Sequence, residues 1–376
     1  MTKPKLLFFV TEDWYFCTHR LPLAIAAKEA GFDVTVLTRV NKHSGIIEDA
    51  GLRLIPSSLL RRGQNPVYEA SFIRQLTSIY RKEKPDIVHH VAMKPVLYGS
   101  LAARLAGCKH VVNAMAGMGF VFTSDQLKAR LLRPLVSGSY RLLLNHPGSR
   151  LILQNSDDVA LFTRSGLIDP QKIALIRGAG VDTRQYTPTK EASGRPIVVM
   201  ASRLLWDKGV GEFVNAAKSL KQQGVDALFV LVGEGDRDNP SAVPDSQLQE
   251  WHQLGVIEWW GRREDMPQIF AQAHVVVLPT TYGEGVPKVL LEAASCERPI
   301  VTTDWPGCRE IVQHGENGLL VPPKNALALA DAIKTLLQHP EMRQRMGAAG
   351  RKIVEQEFSQ ELVIDQTLNL YREMLR

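Results

Sequence analysis

The chain has 376 residues, 45% of them hydrophobic and 22% charged, with a formal net charge of +6. Such a composition excludes a disordered or fibrous chain, and the length suits two globular domains, each large enough to bury its own core. No apolar run reaches the roughly 20 residues that span a bilayer, and Cys17, Cys108, Cys296 and Cys308 are scattered without paired spacing, which argues against a zinc site or a disulfide framework and fits a reducing cytoplasm.

The charge is uneven. Residues 1–150 hold 21 Lys+Arg against 10 Asp+Glu, a net of +11, and the rest hold 24 against 29, a net of −5. One reading gives the first half an anionic partner such as lipid, pyrophosphate or nucleic acid; the other is a solvated basic surface. No nucleic-acid recognition module is evident. The start, Met1 to Val10, is too short for a signal peptide and reads as a first strand.

In chain order, Leu6–Val10, Val34–Leu37, Ile87–Val91, His110–Asn113 and Leu151–Gln154 read as strands. Leu21–Ala30, Phe72–Lys82, Val96–Ala106 and Val159–Ser165 read as helices between them. After a polar stretch at Arg184–Arg195, punctuated by Pro188 and Gly194, the alternation resumes. Ile197–Ala201, Ala227–Val232, Val256–Trp259, Val275–Leu278 and Ile300–Thr302 read as strands. Gly211–Gln222, Met266–Ala273, Val289–Ser295, Ala326–Gln338, Glu341–Glu357 and Glu361–Leu375 read as helices. Alternation of this kind predicts an α/β protein of two Rossmann-like domains, 1–185 and 186–357, with ligands at the carboxyl ends of parallel strands.

Candidate site residues follow predicted strands. Tyr282-Gly283-Glu284-Gly285-Val286-Pro287-Lys288 leads from a strand into a helix that carries Glu292. Gly283 and Gly285 permit backbone angles closed to other residues, and Pro287 suits the first turn of a helix. The free N–H groups of that turn make an anion site. Glu284 and Glu292 lie about two turns apart along one side. Carboxylates beside a phosphate site suit hydroxyl partners, and phosphate with sugar hydroxyls means a sugar nucleotide. Arg203 and Lys208, in a loop after Ile197–Ala201, suit a diphosphate, although read alone the stretch fits one or two ordinary surface cations better. Gly233 ends another strand in a tight turn. Arg262 and Met266 follow a further one, where Asp265 also reads as a helix cap. Asp236-Arg237-Asp238 could hold a divalent metal, but no third ligand stands nearby and the cations above already supply positive charge.

In the first half, Trp14, Tyr15, His19 and Arg20 follow the first strand without the glycines of a dinucleotide loop. They suit a large, amphipathic, anionic ligand; alternatively Trp14 and Phe16 are core and Arg20 pairs with an acid. Lys94 also follows a strand. Lys128, Arg130 and Arg133 stand among leucines in 127–150, which suits either a membrane interface or a core-facing helix pair.

Tyr282 to Ala293 resembles the E-x7-E motif of retaining glycosyltransferases of family four, which have the GT-B fold, and Arg203 to Lys208 resembles their R-x4-K pattern. The resemblance is strongest from Ile197 to Phe358 and extends to Arg237-Asp238-Asn239-Pro240-Ser241 and Gly117-x-Gly119. It is closest to transferases that extend an undecaprenyl-diphosphate-linked sugar. It implies two domains flanking a cleft, with a last helix, 358–376, packing back on the first domain. It implies a UDP-sugar donor held by Glu284, Arg203, Lys208, Glu292, Gly283, Gly285, Val286, Pro287, Lys288, Gly233, Arg262 and Met266, without cofactor or metal. It also implies a polyprenyl-diphosphate-sugar acceptor at Trp14, Tyr15, His19, Arg20, Lys94 and Gly117. The protein would then be cytoplasmic and peripheral on an anionic membrane surface. One departure stands out: Ala116 occupies the position where many family members have a histidine near the reacting sugar carbon. The residues alone leave open a soluble acceptor, a UDP-sugar epimerase, or a non-catalytic nucleotide-sugar-binding protein.

Overall fold

The computed structural model describes residues 3–59, 65–117, 127–236 and 239–376. They form two compact units: Met1–Ala179 with Leu362–Arg376, and Gly180–Glu361. The division thus falls at Ala179–Gly180, ahead of the Pro- and Gly-punctuated stretch in which the sequence places it. The reason is that Val181 already pairs with Ser359 and its N–H bonds Phe358 O. The stretch that follows packs against the second unit's own helices.

The first unit holds seven parallel strands: β1 (Lys5–Glu12), β2 (Asp33–Arg39), β3 (Arg53–Pro56), β4 (Ile87–Val91), β5 (His110–Ala114), β6 (Ser149–Leu153) and β7 (Ile173–Leu175). Their order is β3-β2-β1-β4-β5-β6-β7. The central pair is in register from Leu6 opposite Ile87 to Val10 opposite Val91. β1 and β4 are buried along nearly their whole length, as interior strands of a parallel sheet covered on both faces are. The last helix, Gln360–Leu375, buries Val363, Leu368, Tyr371 and Met374 in the core beneath Phe8 and Val10.

The second unit holds six parallel strands: β8 (Ile197–Ala201), β9 (Leu228–Val232), β10 (Glu258–Trp259), β11 (Val275–Leu278), β12 (Ile300–Thr303) and β13 (Gly318–Val321). Their order is β10-β9-β8-β11-β12-β13. Each sheet reverses its winding at one place, between β1 and β4 and between β8 and β11. An open α/β sheet binds ligands outside the carboxyl ends of the strands at such a point. β8 runs into Ser202 and Arg203, and β11 runs into Pro279 to Glu284. Among the described residues no helix is long and apolar enough to cross a membrane.

Candidate active site

In the second unit the two loops at the switch point are tied to each other. Asp207 O accepts the Thr281 N–H at 2.9 Å and the Thr280 and Thr281 hydroxyls at 3.3 and 3.4 Å. This linkage brings Lys208 to Glu284, and the ammonium donates to Glu284 Oε1. Lys208 is only 5% exposed. Its Nζ also lies 5.2 Å from the centre of the Tyr282 ring, and the Arg203 guanidinium lies 5.9 Å from that same ring. Tyr282 is thus an aromatic floor for both cations. It stands inside the motif, yet sequence spacing gives no sign of that role. Glu284 Oε2 is buried and finds no partner among the described residues. A buried carboxylate oxygen left open is costly and marks a place for a donor hydroxyl or water. Arg203 itself pairs with Asp236 at 3.1 Å, so Asp236 borders the site through an arginine; Arg237 and Asp238 lie outside the described residues. Among the described residues no cluster of three His, Cys, Asp or Glu side chains could hold a metal ion.

The helix after the motif is Lys288–Ser295, and Pro287 is its N-cap residue, one place earlier than its sequence role suggests. Gly283 and Gly285 are not among the glycines with positive φ. The glycine the geometry requires is Gly307, at φ 83°: a Cβ there would stand 1.9 Å from Gly285 O. Gly307 therefore lets the Glu284–Gly285 backbone settle against the turn after β12, a dependence between distant positions that the sequence hides.

Glu292 sits on the Lys288–Ser295 helix and is 9% exposed. Its Oε1 accepts the Tyr186 hydroxyl at 3.0 Å and lies 3.7 Å from Lys288 Nζ. Burial raises its pKa above the usual carboxylate range, while Lys288 and Tyr186 pull it back down. Gly233 takes φ 131° and its N–H bonds Gly261 O at 2.7 Å. This joins the β9 loop to the loop carrying Arg262, whose guanidinium is exposed and 3.5 Å from Glu234. Met266 opens the helix Met266–Gln272. Asp265 occupies the N-cap position but makes no capping bond, because Arg263 holds its carboxylate with two bonds, at 2.8 and 2.6 Å.

In the first unit Trp14, Tyr15 and His19 lie on a short helix, Asp13–His19, which is not among the helices read from the sequence. Asp13 is the buried anchor. Burial raises its pKa, but the backbone N–H groups of His43, Asn41 and Trp14 outweigh that and hold it below the ordinary value. The Tyr15 and His19 rings stack 4.3 Å apart. Phe16 is core and Trp14 is half-buried. Arg20 is 5% exposed, and among the described residues its Nε meets no acceptor and no acid pairs with it. It lies near His89, whose pKa is driven well below the usual histidine value by burial first and then by Arg20.

Lys94 opens the helix Met93–Ala106 after β4, at the first sheet's switch point. It bonds Glu69 at 2.8 Å, so its charge is already engaged, which the sequence cannot show. Gly117 follows β5 with φ 116°, next to the half-buried Ala116; Gly119 lies outside the described residues. Lys128, Arg130 and Arg133 belong to one helix, Leu127–Leu144, with Pro134 inside it, which packs against the helix Met93–Ala106. The far end of the Leu127–Leu144 helix is core-facing, with Tyr140 and Leu144 buried.

Comparisons with known proteins agree with this architecture. The model "Glycosyl transferase 4-like" matches residues 5–156, and "Glycosyl transferases group 1" matches 183–353. The chain is 27% identical over 370 residues, 95% of each chain, to the N,N'-diacetylbacillosaminyl-diphospho-undecaprenol alpha-1,3-N-acetylgalactosaminyltransferase of Campylobacter jejuni. It is 27% identical over 306 residues, 77% of this chain and 76% of the relative, to the Escherichia coli UDP-Gal:alpha-D-GlcNAc-diphosphoundecaprenol alpha-1,3-galactosyltransferase. Among solved structures, the Anabaena protein Alr3699/HepE in complex with UDP aligns with a TM-score of 0.79 at 19% identity, covering 98% of this chain and 100% of that one. The chain belongs to the GT-B glycosyltransferases, with a family-four-like first part and a group 1 second part.

Proposed function

We propose that the protein transfers a hexose or N-acetylhexosamine from a UDP-sugar to a polyprenyl-diphosphate-linked sugar, with retention of configuration, in the assembly of a bacterial surface glycan. The observation that carries this reading is the pair formed by the buried Lys208 and the partly exposed Glu284 at the switch point of the second sheet, over Tyr282 and beside Arg203. The loops supply cations for a diphosphate, and the open Glu284 oxygen supplies an acceptor for a sugar hydroxyl. Lys208 exchanges Glu284 for the diphosphate as the donor binds. With Arg203 and the N–H groups at Gly285 to Lys288, it stabilises charge growing on the departing UDP. Glu284 then orients the sugar, and its charge favours an oxocarbenium-like transition state. Glu292 receives ribose hydroxyls. The same cations do the work a metal would do, so the reaction needs no divalent ion.

The acceptor reading rests on the relatives, both of which are named for diphospho-undecaprenol-linked substrates. Trp14, Tyr15, His19 and the buried Arg20 are the residues of the first unit assigned to it. The test is UDP release by the purified protein: it should be fast with a sugar-diphospho-polyprenol present and slow with free sugars. Rapid release with free sugars alone would reassign the acceptor.

Lys128, Arg130 and Arg133 are proposed to meet an anionic membrane on the cytoplasmic side. A basic residue near such a surface contributes about 1 kcal/mol. Reversing both Arg130 and Arg133 to Glu should therefore cut partitioning onto phosphatidylglycerol vesicles by tenfold or more in a sedimentation assay. Unchanged partitioning would dismiss this patch.

A further inference from the structure

We infer that Tyr186 is a positioning residue for nucleotide binding: its hydroxyl fixes the Glu292 carboxylate in the orientation that receives the ribose. The inference rests on the assignment of Glu292 above. Tyr186 reaches Glu292 from far away in sequence, out of the segment that leads into β8, and donates to Oε1 at 3.0 Å. Donor and acceptor are 7% and 9% exposed.

The tyrosine backbone is clamped with unusual thoroughness. Its carbonyl accepts Arg351 Nη1 at 2.7 Å and the Ser295 hydroxyl at 2.7 Å. Arg351 Nη1 also reaches Ser295 O at 2.8 Å and Thr183 O at 3.1 Å. The Tyr186 N–H bonds Asp182 O at 3.0 Å, and its ring packs on Phe270 with centroids 6.3 Å apart. Ser295 ends the same helix that carries Glu292. The clamp therefore sets the phenol and the carboxylate on one frame.

A phenylalanine ring would fill the same space. What the hydroxyl adds is a second donor, beside Lys288, to a buried carboxylate that otherwise turns about its own side-chain bonds. The groups facing Glu292 are Lys288, Tyr186 and the Cys296 thiol. Of these, Lys288 and Tyr186 favour the ionised acid. Removing the phenol raises the Glu292 pKa further. The protonated form is the poorer acceptor, so UDP binding should then fail at a higher pH as the solution is acidified.

The experiment is calorimetric titration of wild type, Tyr186→Phe, Glu292→Gln and the double variant with UDP, 2'-deoxy-UDP and 3'-deoxy-UDP, between pH 5.5 and 8. Wild type should prefer UDP over at least one deoxy analogue. Tyr186→Phe should lose on the order of tenfold for UDP, lose little for that analogue, and show its acid-side loss at higher pH. The double variant should be no weaker than Glu292→Gln alone, since coupled residues are not additive. A wild type that does not discriminate overturns the assignment of Glu292 and this inference with it. Discrimination and a pH profile unchanged in Tyr186→Phe, or additive losses in the double variant, overturn the role of Tyr186 alone.

Discussion

Replacing Lys208 with alanine should lower turnover by about 10²- to 10³-fold, the usual cost of removing one preorganised donor from a charge-stabilising site. The expectation follows from where the ammonium sits. It is 5% exposed, bonded to Glu284 and placed over the Tyr282 ring, so water screens it poorly, and once it exchanges Glu284 for a phosphate oxygen the two charges meet with little screening. UDP affinity should fall as well, because a diphosphate carries its charge before and after the bond breaks. The fold should survive: Leu204, Leu205 and Val210 remain buried around the loop, and the ties from Thr280 and Thr281 run to the backbone of Asp207. Steady-state kinetics with circular dichroism as a folding control reads both effects. A folded variant with wild-type kcat/KM would remove Lys208 from the mechanism.

Glu284→Gln should cost about 10²-fold in kcat with a smaller change in KM for the donor. The amide keeps the shape and one acceptor oxygen, so a sugar hydroxyl still finds a partner in the ground state. What disappears is the negative charge, and that charge matters most when the anomeric carbon becomes positive. Glutamine also leaves the buried Lys208 without its counter-ion, so a lower thermal midpoint is expected in the unliganded protein, partly restored by UDP. A fall confined to KM would make Glu284 a binding group only, and no fall at all would contradict its assigned place.

The sequence shows the central strands clearly and three of the four edge strands poorly, for a physical reason. β8, β9 and β11 are buried on both faces and spell continuous apolar runs, and β12 is buried throughout and β-branched at every position. β3, β7 and β13 lie at sheet edges, are three or four residues long and only partly buried, so they lack such a run and escape notice. The same contrast holds in the site. Arg203, Lys208, Glu284 and Glu292 are legible because they follow strands or open helices at fixed spacing. Tyr186, Gly307 and the Glu69 partner of Lys94 are not, because each acts across a long stretch of chain that only the folded sheet brings together. Gly285 shows the converse: a glycine whose local motif suggests a special backbone angle, while the strained position belongs to Gly307 opposite it.

The most direct test of transfer to a lipid-linked sugar uses a panel of radiolabelled UDP-sugars with the purified protein and bacterial membrane lipid extract, followed by counting the organic phase. Label from one UDP-sugar should enter the organic phase, and mild acid, which cleaves sugar diphosphates from polyprenol, should return it to water. Donor consumed with all label remaining in the aqueous phase before acid treatment would contradict a lipid-linked acceptor.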